Sequence, residues 1–239
     1  MSQQILPIHT KIMCDLQFFR HFSKTSLYNF DTTGKTLRKG ENKMDFETSQ
    51  TKVNLARAFA GECQGGARYQ FIAQKATKEG KNNIQILFKG LAKNEMAHAK
   101  VFWDLLGKHA TQPQKNIEIR AGYPFEDGDL LQLIKFASNN EKSENTTIYP
   151  SFAKIAEDEG FKDVAEKFKL IALVENDHFM ILDDLYNKLK SKELYISGKE
   201  MTWKCDHCGH THLGKEAFKI CPLCDLDQNY IALDMLDKK

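Results

Sequence analysis

Four segments of this 239-residue chain carry apolar residues at helical spacing, and every stripe is interrupted at mid-length by ionisable side chains. Stepping by three and four through one of them gives Ile84, Phe88, Leu91, Glu95, His98, Phe102 and Leu105. Another gives Val164, Phe168, Ile171, Glu175, His178, Leu182 and Leu185. A third runs Leu55, Ala58, Phe59, Glu62, Gly65 or Gly66, Tyr69 and Ala73, and the last runs Leu133, Ala137, Glu141, Glu144, Ile148, Phe152 and Ile155. Residues three or four apart share a helix face. Five Glu and two His therefore point the way the apolar residues point, which is inward. A buried carboxylate must be neutralised, paired or bound to a cation, and few folds can supply that at one level of four helices.

The two runs Glu95-Met96-Ala97-His98 and Glu175-Asn176-Asp177-His178 are both Glu-x-x-His. Such a run on each of two helices, with carboxylates from the other two, is the ligand set of a di-iron carboxylate bundle. The expected architecture is all-α, a ferritin-like four-helix bundle over residues 44–192. Its helices are predicted at about Ser49–Lys78, Asn82–Leu106 (stopped by Gly107), Asp129–Glu159 and Lys162–Lys192. Pro150 should kink the third. Residues 108–128, with Pro113, Gly122, Pro124 and Gly128, read as a crossover with an extended piece near Ile117–Ile119. Gly61, Gly65 and Gly66 weaken the first helix and point to a close neighbour beside Glu62.

Cysteines supply the second constraint. Cys205-Asp206-His207-Cys208 and Cys221-Pro222-Leu223-Cys224 are two C-x-x-C knuckles, the spacing of a tetrahedral four-thiolate site holding zinc or a single iron. A module of this size (residues 202–239, after a linker at 193–201) needs its metal to fold. His207, His210 and His212 read as surface residues. Cys63 reads as a small buried residue, and lone Cys14 carries no signal. Residues 1–43 show no clean period and read as a poorly ordered extension. A short amphipathic helix and its flank with Cys14, Phe18, Phe19 and Phe30, and a weak likeness to an organelle-targeting peptide, are the lesser alternative. A net charge of +2 gives no reason to expect nucleic acid, and no apolar run reaches the eighteen residues that a membrane span needs. Cysteine usage fits a reducing, cytoplasmic setting.

Taken together, Ala58-Phe59-Ala60-Gly61-Glu62, Glu95-Met96-Ala97-His98, Glu141-Lys142-Ser143-Glu144, Tyr149-Pro150-Ser151-Phe152-Ala153, Glu175-Asn176-Asp177-His178 and the four cysteines resemble the rubrerythrins from about residue 44 onward. That family joins a ferritin-like di-iron bundle to a rubredoxin-like domain. The resemblance implies that Glu62 is a terminal ligand of one iron and that Glu95 and Glu175 bridge the pair. It implies that Glu141 and His178 hold the second iron, that Glu144 and His98 exchange on the first, and that Tyr69 and Tyr149 hydrogen-bond to the site. Cys205, Cys208, Cys221 and Cys224 would hold a third iron, zinc being possible. Cys63, Gly65-Gly66 and His210 depart from the family's usual residues, as does the tail of residues 1–43.

The implied activity is that of a peroxidase reducing hydrogen peroxide to water in oxidative-stress defence. Its catalytic residues would be Glu144, His98, Tyr69 and Tyr149. Electrons derived from NAD(P)H would come through a reductase or a rubredoxin. A homodimer or higher homo-oligomer is expected, because the two centres of one chain are far apart for electron transfer. Ferritin-like oxidation and storage of ferrous iron is the alternative. A structural bundle with a zinc module is a third reading, which leaves five inward carboxylates unexplained.

Overall fold

The computed structural model describes residues 29–30, 36–37, 43–113 and 116–233. Within the unit Met1–Glu41, strands β1 (Asn29–Phe30) and β2 (Thr36–Leu37) pair antiparallel. Cys14, Phe18 and Phe19 lie outside the described residues, while Phe30, expected beside them at a helix flank, is in β1.

In the unit Asn42–Lys239, Ser49 caps α1 (Gln50–Lys78) by accepting from the backbone N–H of Lys52. The Glu159 carboxylate accepts from the N–H groups of Gln50 and Thr51 at 2.9 and 2.8 Å, satisfying further donors of that helix start. Gly80, at φ +69°, ends α1 in the left-handed conformation that glycine adopts without a steric penalty. Helix α2 (Asn82–His109) runs past Gly107, which the sequence reading took as its stop. Lys108 and His109 stabilise that last turn and reach Asp163 at 2.6 and 2.9 Å.

The segment expected as one kinked helix is three pieces: α3 (Leu130–Ser143), a π turn (Glu144–Ile148) and α4 (Tyr149–Asp158). Asp129 and Gln132 form a capping box at its start, and Pro150 sits in the first turn of α4, where a missing N–H costs least. The wide turn adds one residue to the helical phase. Ahead of the turn Leu130, Ile134, Ala137 and Glu141 are buried and Leu133 lies at the half-buried edge of that face; beyond it the shifted phase buries Tyr149, Ala153 and Ala156, whereas Ile148, Phe152 and Ile155 of the expected stripe are only half-buried. The other three stripes are buried as expected, except that Phe59 is half-buried.

Helix α5 (Lys162–Ser191) packs along α3 and α4, while α1 packs along α2. Residues 110–129 connect the two helix pairs. Among the described residues of this connection there is no strand, and Ile117 and Ile119 instead pack against the core. Tyr123 donates its hydroxyl to the Arg57 carbonyl at 3.0 Å, tying the connection to α1. Two apolar clusters fill the bundle, one around Leu55, Phe102, Val164 and Phe168, the other around Phe88, Ile134, Leu182 and Leu185. The ionisable residues lie between them.

The C-terminal module holds β3 (Ile196–Lys204) paired antiparallel with β4 (Thr211–Glu216), so part of the expected linker belongs to a strand. Trp203, Ala217 and Ile231 form its small core, and the Trp203 ring N–H donates to the Gly214 carbonyl at 3.0 Å. Leu194 and Tyr195 pack against the bundle. The Asn83 amide donates to the Tyr195 hydroxyl at 3.0 Å, which seats the module at the start of α2.

Candidate metal centres

Six of the seven predicted bundle ligands converge. Glu62, His98 and Glu175 present ligand atoms within 4.8 Å of one another, as do Glu95, Glu141, Glu175 and His178. Glu175 belongs to both groups. Its Oε1 lies 2.9 Å from His98 Nδ1 and its Oε2 lies 2.8 Å from His178 Nδ1, so one carboxylate faces two sites at once. Glu62 Oε2 stands 3.4 Å from His98 Nδ1, while Glu95 Oε1 and Glu141 Oε2 stand 3.2 and 3.7 Å from His178 Nδ1. None of these residues is more than 9% exposed.

The outer oxygens are satisfied from within the bundle: Tyr149 donates to Glu62 and Tyr69 donates to Glu141. The inner atoms are not. Glu62 Oε2, Glu95 Oε1, Glu141 Oε2, both oxygens of Glu175 and the Nδ1 atoms of His98 and His178 are buried without a hydrogen-bond partner. Native interiors leave few such atoms, and seven of them facing one space is the signature of a cation site. The hard carboxylates and imidazoles present fit a pair of iron ions.

Electrostatics agree. Burial lifts the Glu62 carboxyl well above its ordinary range, with Glu95 and Glu175 adding repulsion that His98 only partly offsets. Glu141 is pushed up to about 8, again chiefly by burial. Burial works against a charged imidazole, but the facing carboxylates of Glu175 and Glu62 hold His98 at about 10, and those of Glu141, Glu175 and Glu95 hold His178 at about 12. Without metal, the two rings supply the positive charge that these acids need, and cations must displace those protons.

Glu144 is the exception. It stands in the π turn, half-buried, outside both groups. It lines a cavity of about 420 Å³ with Arg57, Gly61, Tyr123 and Tyr149. Burial, then repulsion from Glu141 and Glu62, raises its pKa well above the ordinary value. Cys63 is a half-buried free thiol and joins neither group. Two further residues serve the site, of which the sequence does not single out the first and marks the second, Gly65, only as a point of close approach. The Asn94 amide lies 3.3 Å from His178 Nε2. A Cβ on Gly65 would stand 2.9 Å from Glu95 Oε2, so the glycine leaves room for that carboxylate. A polar residue directly before Glu95 was the available signal for the first.

In the module, Cys205, Cys208, Cys221 and Cys224 come together. The Cys205–Cys224 and Cys208–Cys221 sulfurs are 3.8 and 3.6 Å apart. This is far beyond a disulfide bond and close to the edge, about 3.8 Å, of a sulfur tetrahedron around an ion at about 2.3 Å. His207 and His212 are exposed and His210 packs on Phe218; none joins the cluster.

Fold and sites together define a ferritin-like carboxylate bundle with a di-iron centre, fused to a rubredoxin-like four-cysteine metal domain. The chain belongs to the rubrerythrin family. The family model for rubrerythrin matches residues 53–186 and 132–205, and that for the rubrerythrin rubredoxin-like domain matches residues 203–231. Rubrerythrin-1 of Clostridium acetobutylicum is 40% identical over 186 residues, covering 77% of this chain and 94% of the relative. Rubrerythrin of Porphyromonas gingivalis is 35% identical over 194 residues, covering 81% and 94%. Among solved structures, partially reduced nigerythrin superposes with a TM-score of 0.52 at 23% identity, over 85% of this chain and 98% of that one, a likeness of fold.

Proposed function

We propose that the protein is a non-haem peroxidase that reduces hydrogen peroxide with two electrons and two protons to two molecules of water. The observation that carries this reading is a carboxylate, Glu175, shared between two buried ligand groups, in a chain that also bears a four-thiolate module. Such an iron pair would supply the two electrons, and an iron held by Cys205, Cys208, Cys221 and Cys224 would supply the means of renewing them. Glu62, Glu95, His98, Glu141, Glu175 and His178 hold the pair, with Glu144 as an alternate ligand. Tyr149 and Tyr69, by donating to Glu62 and Glu141, fix those carboxylates and temper their charge. His98 and Glu144 are the two residues that would share one position of that centre. His98 is turned toward Glu62 and Glu175, while Glu144, whose carboxyl burial and acidic neighbours raise well above its ordinary pKa, lines the cavity beside Tyr149.

Electrons derived from NAD(P)H enter through a reductase or rubredoxin and reach Cys205, Cys208, Cys221 and Cys224 first. Asn83, where the module is seated, precedes Glu95 by twelve positions of α2, or about 18 Å of helix. That separation supports transfer between two copies of the chain, in a homodimer or larger homo-oligomer working in the cytoplasm. Among the described residues no helix is long and apolar enough to cross a membrane.

The deciding experiment mixes reduced, iron-loaded protein with peroxide or with oxygen and follows re-oxidation. Peroxide should be the faster oxidant. Faster reaction with oxygen, accompanied by accumulation of ferric iron, would favour ferrous-iron oxidation and storage and sink the peroxidase reading.

A further inference from the structure

We infer that Asn94 is the positioning residue that fixes the His178 ring as a ligand, a support for which His98 has no counterpart among the described residues. The inference rests on the proposed dimetal centre. His178 is held from both sides: Nδ1 faces Glu95 and Glu175 at 3.2 and 2.8 Å, and Nε2 lies 3.3 Å from the Asn94 amide. An imidazole whose Nδ1 lone pair is turned to a cation carries its proton on Nε2. The bond then runs from Nε2–H to the amide oxygen, which Asn94 presents by a half-turn of its amide. Such an outer partner fixes ring orientation and strengthens the ligand.

The two Glu-x-x-His runs are otherwise equivalent, so the comparison is internal to the chain. Asn94 directly precedes Glu95 on α2 and reaches across to the histidine on α5. The residue directly before Glu175 is Val174, which has no side-chain donor or acceptor. Among the described residues no hydrogen bond reaches His98 Nε2, while its Nδ1 faces Glu175 and Glu62. His98 is also the more exposed of the two, at 9% against 2%. One ring is clamped at two atoms and the other at one.

The test titrates metal-free full-length protein with cobalt(II), reading bundle affinity by absorption and the paramagnetically shifted ring N–H protons by NMR. Asn94→Leu should weaken cobalt at one bundle site by about 10–100-fold and speed exchange of one shifted N–H with water. The cysteine-site absorption and the melting of the metal-free protein should be little changed. Asn94→Asp, which keeps an acceptor, should stay within a few-fold of wild type. Asn94→Ser, too short to reach the ring, should repeat the loss and serves if the leucine variant fails to fold. Wild-type affinity and N–H exchange in Asn94→Leu and Asn94→Ser would overturn the inference and leave the dimetal reading standing. A wild-type bundle that takes up no cobalt would overturn both.

Discussion

The two Glu-x-x-His runs carry the same residue types at the same spacing, yet the fold gives them different surroundings. The His178 half contains Glu95, Glu141 and Glu175, with Asn94 behind the ring. The His98 half contains only Glu62 and Glu175, with Glu144 standing off in a neighbouring cavity. A repeated motif thus makes one saturated and one unsaturated ligand group. Reduction of a small oxidant needs the second kind, because an open or exchangeable position is where a substrate meets the metal.

The harshest way to break this comparison is Glu175→Ala, which removes the carboxylate common to both halves. Both bundle cations should be lost while the cysteine-bound metal stays, as metal analysis and visible absorption would read. Burial opposes the charge of Glu175, but His178 and His98 hold its pKa down at about 2. The substitution therefore leaves two buried imidazolium groups without their shared anion and should lower metal-free stability by about 3–5 kcal/mol, measurable by urea unfolding.

Removing the histidines one at a time sharpens the contrast. His178→Ala should weaken bundle cation binding at least about tenfold more than His98→Ala, a difference of about 1.4 kcal/mol, if Glu144 takes the place of His98 as proposed above and no carboxylate takes the place of His178. Equal losses in calorimetric titrations would erase the asymmetry.

Gly65→Ala addresses the His178 half alone. Alanine adds up to about 1 kcal/mol of helix propensity, but its Cβ would stand 2.9 Å from Glu95 Oε2 and must displace it. The expected outcome is a metal-free protein that melts no lower than wild type and binds bundle metal more weakly. Tighter binding would show that Glu95 has room to spare.

The smallest effect lies at the far end of the α2–α5 pairing. Burial raises the pKa of Asp163, but hydrogen bonds from Lys108 and His109 outweigh it and bring the carboxyl to about 2. A depressed carboxyl stabilises the fold above its unfolded value near 4 and loses that contribution as pH falls toward 2. The stability difference between wild type and Asp163→Asn should be level above about pH 5 and shrink between about pH 4 and 2. Asp163 is 40% exposed on its side chain, so the difference is small and should diminish with salt.

Much of the site was legible because helices repeat. Glu62, Glu95, His98, Glu141, Glu175 and His178 stand at i, i+3 and i+4 from apolar residues, and that spacing alone turns them inward. The cysteine knuckles were legible because two C-x-x-C pairs can close on a metal with little help from the rest of the chain. The fourth stripe was misread past Glu141, since a π turn is not a period that a sequence announces; Pro150 marks its neighbourhood but not its extra residue. Asn94 was passed over because an exposed polar residue on a helix is ordinary until its neighbour on another helix is known.

Residue types and their periods by themselves determined four rods with an acidic centre and a thiolate-bound module, because burying unpaired charge is too costly to happen without a cation. Only the packing of α1–α2 against α3–α5 decided which oxygen faces which ring. It also decided that Glu175 is shared, that Glu144 stands aside, and that one histidine is clamped and the other is not. Those outcomes depend on distances between segments far apart in the chain, and helical periodicity is silent about distance across a core.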